Sequence, residues 1–468
     1  MPLTRIDRYV LITLVSLNAV LKFSWLGVNE LSGDEPFTVF WAQQHAGDLF
    51  SMLRDENNPP LYFFLMKWWS ACTPFEVPWL RVPSALFSVL AVWPLFLLAR
   101  RHLDLWAAAT ACLLFTLCNE HYVYAHEVRA YSLLTLLAIM GMWQAHRIAQ
   151  RSPRAVLWFT LANTLLVYTH FMGWAAIGIQ LLCLVVVQDW RPALRSWLKS
   201  VALSMVLFLP YGFIFLQRVG ASVSKGTWLT APAWDEPYSM LWRWSNAPVI
   251  TVAFICVIAI ALWRMRLKST ALRIGLVWAL APLIALFVVS FVVPLYLDRY
   301  LIWAAPGFAL LVAASLSVMA VNRNLVRGSL AMACAAMLLT FTPREGNGAQ
   351  PSKVVEQWKA WDPSESGRLT VLPYWYVFTF VSSTQMELYR DPYAMDVWKT
   401  MTASGIAGYD PGVPSAQEEE QDTLVILIDA GSHNTTHGAR VHQLLTTRYA
   451  RIDSVEATKK VWVYRFRK

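Results

Sequence analysis

The feature that most constrains this chain is a series of apolar stretches, each about 17 to 22 residues long, separated by short polar segments. A helix needs about 20 apolar residues to cross the hydrocarbon core of a bilayer. Hydrophobic residues make up 57% of the 468 residues and charged residues only 15%, a balance that a soluble chain could not bury. The pattern therefore predicts a polytopic integral membrane protein.

Eleven spans are predicted when the first stretch, which follows Arg5 and Arg8, is interpreted as an uncleaved span with a cytoplasmic start. They lie at 9–28, 82–99, 104–120, 130–147, 155–170, 172–188, 200–217, 248–264, 272–293, 300–320 and 326–342. Basic clusters then fall at every cytoplasmic turn, as the positive-inside rule requires. These are Arg100, Arg101, Arg147, Arg151, Arg154, Arg191, Arg195, Lys199, Arg264, Arg266, Lys268, Arg323 and Arg327. The net charge of +9 is thus an orientation signal, and nucleic acid is not expected as a partner.

This register predicts a protein of the inner (plasma) membrane with a cytoplasmic N-terminus and an extracytoplasmic C-terminus. The outer side receives a long loop at 29–81, an acidic loop at 119–129, further loops at 218–247 and 294–299, and the tail. Within the first loop, 61–72 is apolar and aromatic but too short to cross, which predicts a helix along the membrane interface.

The composition becomes polar after residue 342, and apolar runs shorten to strand length. Strands are predicted at 369–372, 423–428 and 460–466, helices at 353–361 and 439–449, and a polar loop at 401–421. The predicted fold is an all-α polytopic membrane domain of about 11 transmembrane helices (1–342), with catalytic outer loops at 29–81 and 119–129. A small extracytoplasmic α/β domain (343–468) follows, with a packing or acceptor-recognition role.

A carboxylate pair, Asp34 and Glu35, lies just after the first span in the segment Gly33-Asp34-Glu35-Pro36. An ordinary solvated pair of loop acids would account for the doublet alone. Ionised groups near the bilayer are costly, however, and so suggest a function. One carboxylate could act as general base on an acceptor hydroxyl while the other orients it. The pair could also recruit a divalent cation, although no His stands at ligand spacing.

The second outer loop contains Glu120-His121 and the run from His126 through Glu127 and Arg129 to Tyr131. If Glu127 begins the fourth span, Glu127 and Tyr131 share a helix face at i and i+4. The alternative is a helix start with a local ion pair. His170, at the outer end of the fifth span, fits either a catalytic role or that of a satisfied interfacial residue.

Asp298-Arg299-Tyr300-Leu301 stands at the outer mouth of the tenth span. An arginine there can simply extend to the lipid headgroups. The register nevertheless places Arg299 on the same side as both acidic loops, together with Arg81, Arg129 and Lys67. Carboxylates above fixed cations at headgroup depth would suit a lipid phosphate as leaving group.

Taken in order, these motifs resemble the bacterial C-type (GT-C) glycosyltransferases, a group with the protein O-mannosyltransferases, the lipid A aminoarabinose transferase and the rhizobial galacturonosyltransferases. The resemblance covers roughly residues 1–320, and its strength lies in the ordered set. The motifs are Asp34-Glu35, Asn58-Pro59-Pro60-Leu61-Tyr62, Leu80-Arg81-Val82-Pro83-Ser84-Ala85-Leu86, His126-Glu127-Val128-Arg129-Ala130-Tyr131, Tyr168-Thr169-His170 and Asp298-Arg299-Tyr300-Leu301.

The resemblance implies that Asp34 is the catalytic base with Glu35 beside it, and that Glu127 is the second acidic residue of the site. Arg299 and Tyr300 would hold the carrier phosphate. The remaining expected contacts are Arg129, Arg81 and Lys67 for the donor phosphate, and Asn58, Tyr62, Tyr131 and His170 for the rest of the pocket.

One position departs from the family pattern. Relatives usually place His or Lys immediately before the Pro-Pro-Leu-Tyr stretch, where it can touch the donor phosphate, and this chain has Asn58. Lys67 or Arg81 could supply the missing cation.

The expected activity is an inverting transfer of a hexosyl or pentosyl group from a polyprenyl-phosphate donor to a hydroxyl of a lipid, glycan or protein at the outer face. No cofactor is required, and a divalent cation is an option at Asp34 and Glu35. The alternatives are a multi-span lipid-linked sugar transporter or flippase and a non-catalytic envelope assembly protein. Transporters are commonly built from internal repeats, and no repeat is visible here. No motif identifies the sugar or the acceptor.

Overall fold

The computed structural model describes residues 3–55, 58–225, 229–265, 267–319, 322–343, 350–364, 367–373, 375–384, 386, 389, 407–408, 423–431, 436–458 and 460–468. The described helices are α1 Arg5–Phe23, α2 Glu35–Gln43, α3 Ala46–Asp55, α4 Leu61–Cys72, α5 Val77–His102, α6 Leu105–Thr116, α7 Asn119–Ala125, α8 Tyr131–Ala149, α9 Ala155–Thr169, α10 Met172–Val186, α11 Leu194–Lys225, α12 Glu236–Ser245, α13 Pro248–Met265, α14 Thr270–Val289, α15 Ala305–Met319, α16 Arg323–Leu339, α17 Pro351–Trp361, α18 Tyr376–Thr384 and α19 Thr436–Arg448. Short 3-10 helices cover Gln188–Ala193 and Asp298–Ala304. The strands are β1 Arg368–Leu372, β2 Ala407–Gly408, β3 Leu424–Asp429, β4 Ala450–Thr458 and β5 Val461–Arg467.

The chain forms two compact units. The helical unit comprises Met1–Trp25, Met52–Tyr62 and Arg81–Pro343, and the mixed unit comprises Leu26–Ser51, Phe63–Leu80 and Arg344–Lys468. Parts of the first outer loop therefore belong to the same compact unit as the tail. The division into domains at 342/343 stays a prediction.

A described helix lies at each of the eleven predicted spans, which confirms the all-helical membrane domain. By length and composition, five described helical segments can cross a membrane: Val77–His102, Gln188–Gly220, Pro248–Met265, Thr270–Val289 and Asp298–Met319. Shorter apolar helices lie at Leu105–Thr116, Ala155–Thr169 and Met172–Val186.

The ends of α1 show how local chemistry sets a span. Thr4 and Asp7 form a capping box, in which each side chain accepts from the other residue's backbone N–H, so the helix starts at Arg5. It ends at Phe23, five residues before the predicted end at 28, where Ser24 is extended and Trp25 takes a left-handed conformation with φ 65°. The first span was therefore predicted too long at its outer end.

Close helix packing in the helical unit depends on small residues and on amide pairs. A Cβ on Gly275 in α14 would lie 2.8 Å from the Leu311 backbone in α15, so only glycine allows this approach. Asn163 in α9 and Gln180 in α10 exchange two side-chain hydrogen bonds of 3.0 and 2.9 Å. Both amides are buried, and this pairing satisfies them where water is excluded.

The mixed unit contains a five-stranded sheet in the order β2-β1-β3-β5-β4. β1 runs parallel to β2 and β3, whereas β5 is antiparallel to both β3 and β4. Leu372, Val425, Leu427, Val441 and Phe466 form a buried core between the sheet and α19. The predicted α/β tail is thus confirmed, although β4 was missed because its residues are mostly exposed and polar. The predicted loop at 401–421 lies outside the described residues except for 407–408, which form β2.

Part of the first outer loop packs within this unit. The ring centroids of Phe37 and Phe40 in α2 lie 5.4 and 5.3 Å from that of Phe378 in α18. The Glu30 carboxylate accepts a hydrogen bond of 2.8 Å from the backbone N–H of Ser352 at the start of α17. The loop that carries the carboxylate pair is therefore built against the tail.

Candidate functional site

The Asp298-Arg299-Tyr300 segment is a rigid turn in the helical unit. It begins the 3-10 helix, in which the Trp303 indole N–H donates to the Tyr300 carbonyl at 2.8 Å. Trp278 of α14 donates in turn to the Trp303 carbonyl at 3.0 Å, and both indoles are buried. These bonds fix the backbone that presents Arg299 and Tyr300.

His170, in the turn between α9 and α10, lies at the centre of the predicted pocket residues. Its ring centroid is 5.2 Å from that of Tyr300 and 5.8 Å from that of Tyr131. Burial, with smaller contributions from the neighbouring Arg129 and Arg299 guanidiniums, lowers the pKa of His170 to about 3. The imidazole is therefore neutral, and two fixed cations lie close to it.

The tautomer of His170 follows from its backbone contact. Nδ1 accepts a hydrogen bond of 3.1 Å from the backbone N–H of Met172. A neutral imidazole that accepts at Nδ1 carries its proton on Nε2. His170 can therefore donate one hydrogen bond from Nε2 without adding charge.

Arg129 connects this centre to the Asn-Pro-Pro segment. Its Nη2 lies 3.4 Å from Asn58 Oδ1, and its guanidinium carbon lies 5.8 Å from the centroid of the Tyr131 ring. The Arg129 carbonyl accepts from Ser84 Oγ at 3.3 Å, and Ser84 Oγ lies 2.7 Å from the Tyr62 hydroxyl. Predicted pocket residues from three separate motifs thus lie in one contact network.

The segment that carries Asn58 is held from α11. The Tyr211 hydroxyl is shared between the carbonyl oxygens of Leu53 and Asn58, each at 3.2 Å. Tyr211 is buried, so this contact is shielded from water. The sequence alone gave no reason to link Tyr211 with the pocket.

Arg81 and Glu127 are also in the helical unit. Arg81 is buried in α5 and contributes, after burial and Lys22, to lowering the pKa of His126. Glu127 is half-buried and lies two residues after the end of α7. The prediction that Glu127 could begin the fourth span is wrong, because α8 starts at Tyr131 with Ala130 as its cap.

Two histidines of the second loop have packing roles. His121 bridges the Phe115 carbonyl through Nδ1, at 2.9 Å, and the Ser88 hydroxyl through Nε2, at 2.6 Å. His126 Nε2 donates to the Lys22 carbonyl at 2.9 Å. Both side chains are buried, and both act as structural cross-links between helices.

A second group of charges lies next to the first. Arg243 of α12 bonds the Asp298 carboxylate at 2.9 Å, while Glu120 of α7 is buried nearby. Burial raises the pKa of Glu120 well above its usual range, and the Asp298 carboxylate raises it further. Burial and the carboxylates of Glu120, Asp298 and Glu127 also raise the pKa of Tyr124. Arg243 was not predicted from the sequence. Its position between two tryptophans in an outer loop was the available signal.

Asp34 and Glu35 belong to the mixed unit. Gly33 takes a φ of 58°, which turns the chain into α2, and Asp34 is the N-terminal cap position of that helix. The buried Glu35 carboxylate accepts from the Ser32 backbone N–H at 3.2 Å and is used within its own turn. Asp34 is half-buried. The two adjacent carboxylates therefore differ in burial.

Lys67 also lies in the mixed unit. Its ammonium donates to the Gln44 carbonyl at 2.6 Å, and Gln44 is the cap residue at the C-terminal end of α2. This contact gives Lys67 a structural role, and its contact with a donor phosphate stays a prediction. In the described part of the chain, no group of three or more His, Cys, Asp or Glu side chains could hold a metal ion.

No protein-family model and no curated protein matches the sequence. Solved structures do match. ArnT from Cupriavidus metallidurans bound to undecaprenyl phosphate has a TM-score of 0.62 at 14% identity, and its apo state has a TM-score of 0.62 at 13%, each match covering 97% of both chains. The oligosaccharyltransferase AglB from Archaeoglobus fulgidus, in complex with an inhibitory peptide and a dolichol-phosphate, has a TM-score of 0.53 at 10% identity, covering 98% of this chain and 74% of that one. The chain therefore has the fold of the C-type (GT-C) glycosyltransferases, as the ordered motifs predicted.

Proposed function

We propose that this protein is a membrane glycosyltransferase that moves a hexosyl or pentosyl group from a polyprenyl-phosphate carrier to a hydroxyl acceptor at the outer face of the inner membrane. The observation that carries the proposal is the placement of Arg129 and Arg299 around the buried, neutral His170. The GT-C fold supports it, because similar structures are of ArnT with undecaprenyl phosphate and of AglB with a dolichol-phosphate.

The network around His170 has the chemistry of a phosphate site. Two guanidiniums can form charge-assisted hydrogen bonds to phosphate oxygens, and such bonds are about twice as strong as neutral ones. The Nε2–H of His170 can add a neutral donor. The backbone of Arg299 is fixed by indole hydrogen bonds, so the cation is in position before the leaving group develops its charge.

In the proposed reaction, Asp34 removes the proton from an acceptor hydroxyl. The oxygen then forms a bond to the anomeric carbon while the bond from that carbon to the phosphate oxygen breaks on the opposite face, which inverts the configuration. The electron pair leaves with the polyprenyl phosphate, where Arg129 and Arg299 stabilise it, and protonated Asp34 returns its proton to solvent. The half-buried position of Asp34, beside a buried Glu35 bonded within its own turn, supports this division of roles.

Carrier binding tests the phosphate site. Purified protein in nanodiscs would be titrated with undecaprenyl phosphate, comparing the wild type with Arg129→Gln and Arg299→Gln. Each variant is expected to bind about tenfold or more weakly, because each loses a charge-assisted hydrogen bond worth about 1.5 to 3 kcal/mol. Arg195→Gln, an exposed arginine on α11, is the matched control. Wild-type affinity in both site variants would contradict the assignment.

Transfer itself tests the base. Release of undecaprenyl phosphate would be measured from undecaprenyl-phosphate aminoarabinose, mannose and galacturonate, with lipid, glycan and peptide acceptors. Asp34→Asn is expected to lose about 10²- to 10⁴-fold in rate while still binding the carrier. A folded Asp34→Asn protein with near wild-type transfer would refute this role. Movement of the donor across sealed vesicles without bond cleavage would point to a transporter instead.

A further inference from the structure

A large cavity lies in the helical unit between the N-terminus of α1, the C-terminal ends of α5 and α8, and the turn after α8. Its volume is about 770 Å³. The residues of the predicted pocket do not line it, and the span register places this end of the bundle on the cytoplasmic side. The cavity therefore calls for an explanation separate from the sugar-transfer site.

The cavity wall is rich in arginine. Among the described residues that line it, Arg100, Arg101 and Arg147 are positive and Asp7 is the one carboxylate, which leaves two positive charges in excess. Arg100 bonds Asp7 at 2.7 Å. The Arg147 guanidinium contacts the neutral Gln144 amide oxygen and the Pro153 carbonyl, each at 3.3 Å. The excess charge thus belongs to Arg101 and Arg147.

Aromatic and imidazole groups complete the wall. The Arg101 guanidinium carbon lies 5.8 Å from the centroid of the Trp143 ring. His146 is 6% exposed and lines the cavity, and within the described part of the chain its Nδ1 has no hydrogen-bond partner. The same holds for Nε2 of His102, whose ring centroid lies 5.0 Å from that of His146. Both nitrogens are enclosed by protein atoms, so the charge of the arginines, and not these nitrogens, is what the cavity offers to a ligand.

We propose that this cavity binds the phosphate of an anionic phospholipid headgroup from the cytoplasmic leaflet. Basic pockets between transmembrane helices on this side of a membrane suit such headgroups, since arginine pairs with phosphate oxygens in a planar fork. Arg101 and Arg147 neutralise the phosphate. The bound lipid ties α1, α5 and α8 together at one end.

Phosphatidylglycerol is the probe that tests this site. Purified protein in phosphatidylcholine nanodiscs, with or without phosphatidylglycerol, would be assayed for thermal stability and, by native mass spectrometry, for retained lipid. The wild type is expected to retain phosphatidylglycerol and to melt at a higher temperature with it. Arg101→Gln/Arg147→Gln should retain about 30-fold less phosphatidylglycerol, since each basic residue contributes about 1 kcal/mol to binding an anionic lipid.

Two further variants make the result decisive. Ser152→Trp fills the cavity without changing its charge and should also abolish retention. Arg195→Gln/Lys199→Gln removes two exposed cations from the same predicted face and should leave retention unchanged. Undecaprenyl phosphate binding should persist in all of these variants, which separates this site from the transfer site.

An equal stabilisation by inorganic phosphate would keep the phosphate site but identify a soluble phosphate as its source. Equal loss in the Arg195/Lys199 control and the cavity variants would overturn the proposal. So would equal retention of phosphatidylglycerol and phosphatidylcholine by the wild type.

Discussion

The imidazole of His170 meets the Tyr300 ring edge to face, with 5.2 Å between their centroids, while its Nδ1 accepts from the Met172 backbone N–H. A proton on Nδ1 would break that hydrogen bond. It would also place a third positive charge beside Arg129 and Arg299. The arrangement therefore holds the imidazole neutral, with its proton on Nε2.

Acid should destabilise the protein through this residue. The pKa of His170 falls from an ordinary value of 6.5 to about 3 on folding, so the unfolded state binds the proton more readily. Stability is unaffected above pH 6.5 and declines as pH falls towards 3, by about 1.4 kcal/mol per pH unit. Melting curves in nanodiscs from pH 7.5 down to about 5 should show a shallower decline for His170→Gln than for the wild type. His126 has a similarly lowered pKa and contributes the same decline in both proteins. Any difference between the two curves therefore belongs to residue 170, and parallel declines would contradict this account.

Asn58 should tune the carrier site through Arg129. Asn58→Asp would place a carboxylate against the guanidinium that Asn58 Oδ1 now approaches at 3.4 Å. The new charge competes with the carrier phosphate, and we expect undecaprenyl phosphate to bind about tenfold more weakly. Asn58→Ala removes only a long contact and should change affinity by less than about threefold. Titration of both variants checks the charge dependence, and equal effects would show that Asn58 acts by packing alone.

Tyr211 should hold the Asn-Pro-Pro segment in place. Tyr211→Phe removes the hydroxyl shared by the Leu53 and Asn58 carbonyls. We expect the free energy of unfolding to fall by about 1 to 2 kcal/mol. Hydrogen exchange should quicken at the amides of Asn58, Leu61 and Tyr62, and carrier binding should weaken slightly. Tyr168→Phe is the matched control, because its hydroxyl bonds the Leu207 carbonyl in an exposed setting. If the two variants behave alike, the segment is held by other contacts.

The sequence was sufficient for the architecture because spanning length and basic clusters are local properties of the chain. Each predicted span is a helix, and the tail strands were found from short apolar runs. The end of α1 was missed since the left-handed Trp25 gives no compositional signal. Strand β4 was missed because its stability comes from pairing with β5 and not from apolar residues.

Only part of the site could be predicted, because the remaining contacts join residues that are far apart in the sequence. The polar residues at span ends were identified, and the structure brings Asn58, Arg129, His170 and Tyr300 into one network. The pairing of Arg243 with Asp298 joins residues 55 positions apart and has no local signature. Lys67 was expected to contact the donor phosphate, which stays a prediction, and in the structure its ammonium bonds the carbonyl of Gln44 at the end of α2. Residue type alone cannot separate a ligand contact from a helix cap.

Asp429 should stabilise the mixed unit through His442. Its carboxylate is fully buried at the end of β3, and its Oδ2 lies 2.9 Å from Nε2 of His442 on α19. Asp429→Ala would leave the half-buried imidazole of His442 without this acceptor. We expect the free energy of unfolding to fall by about 2 to 3 kcal/mol. Hydrogen exchange at residues 424–429 of the full-length protein should quicken accordingly.

A second measurement separates charge from packing at this pair. Burial raises the pKa of Tyr464, and the Asp429 carboxylate raises it further, so Asp429→Ala should lower the Tyr464 pKa in an ultraviolet titration. Asp429→Asn should lower it similarly while retaining most of the stability, because the amide oxygen can still accept from His442. Asp453→Ala, on the exposed strand β4, should change stability by no more than about 0.5 kcal/mol. Should Asp429→Asn destabilise the sheet as much as Asp429→Ala, the buried charge would be the stabilising element and not the hydrogen bond that it accepts.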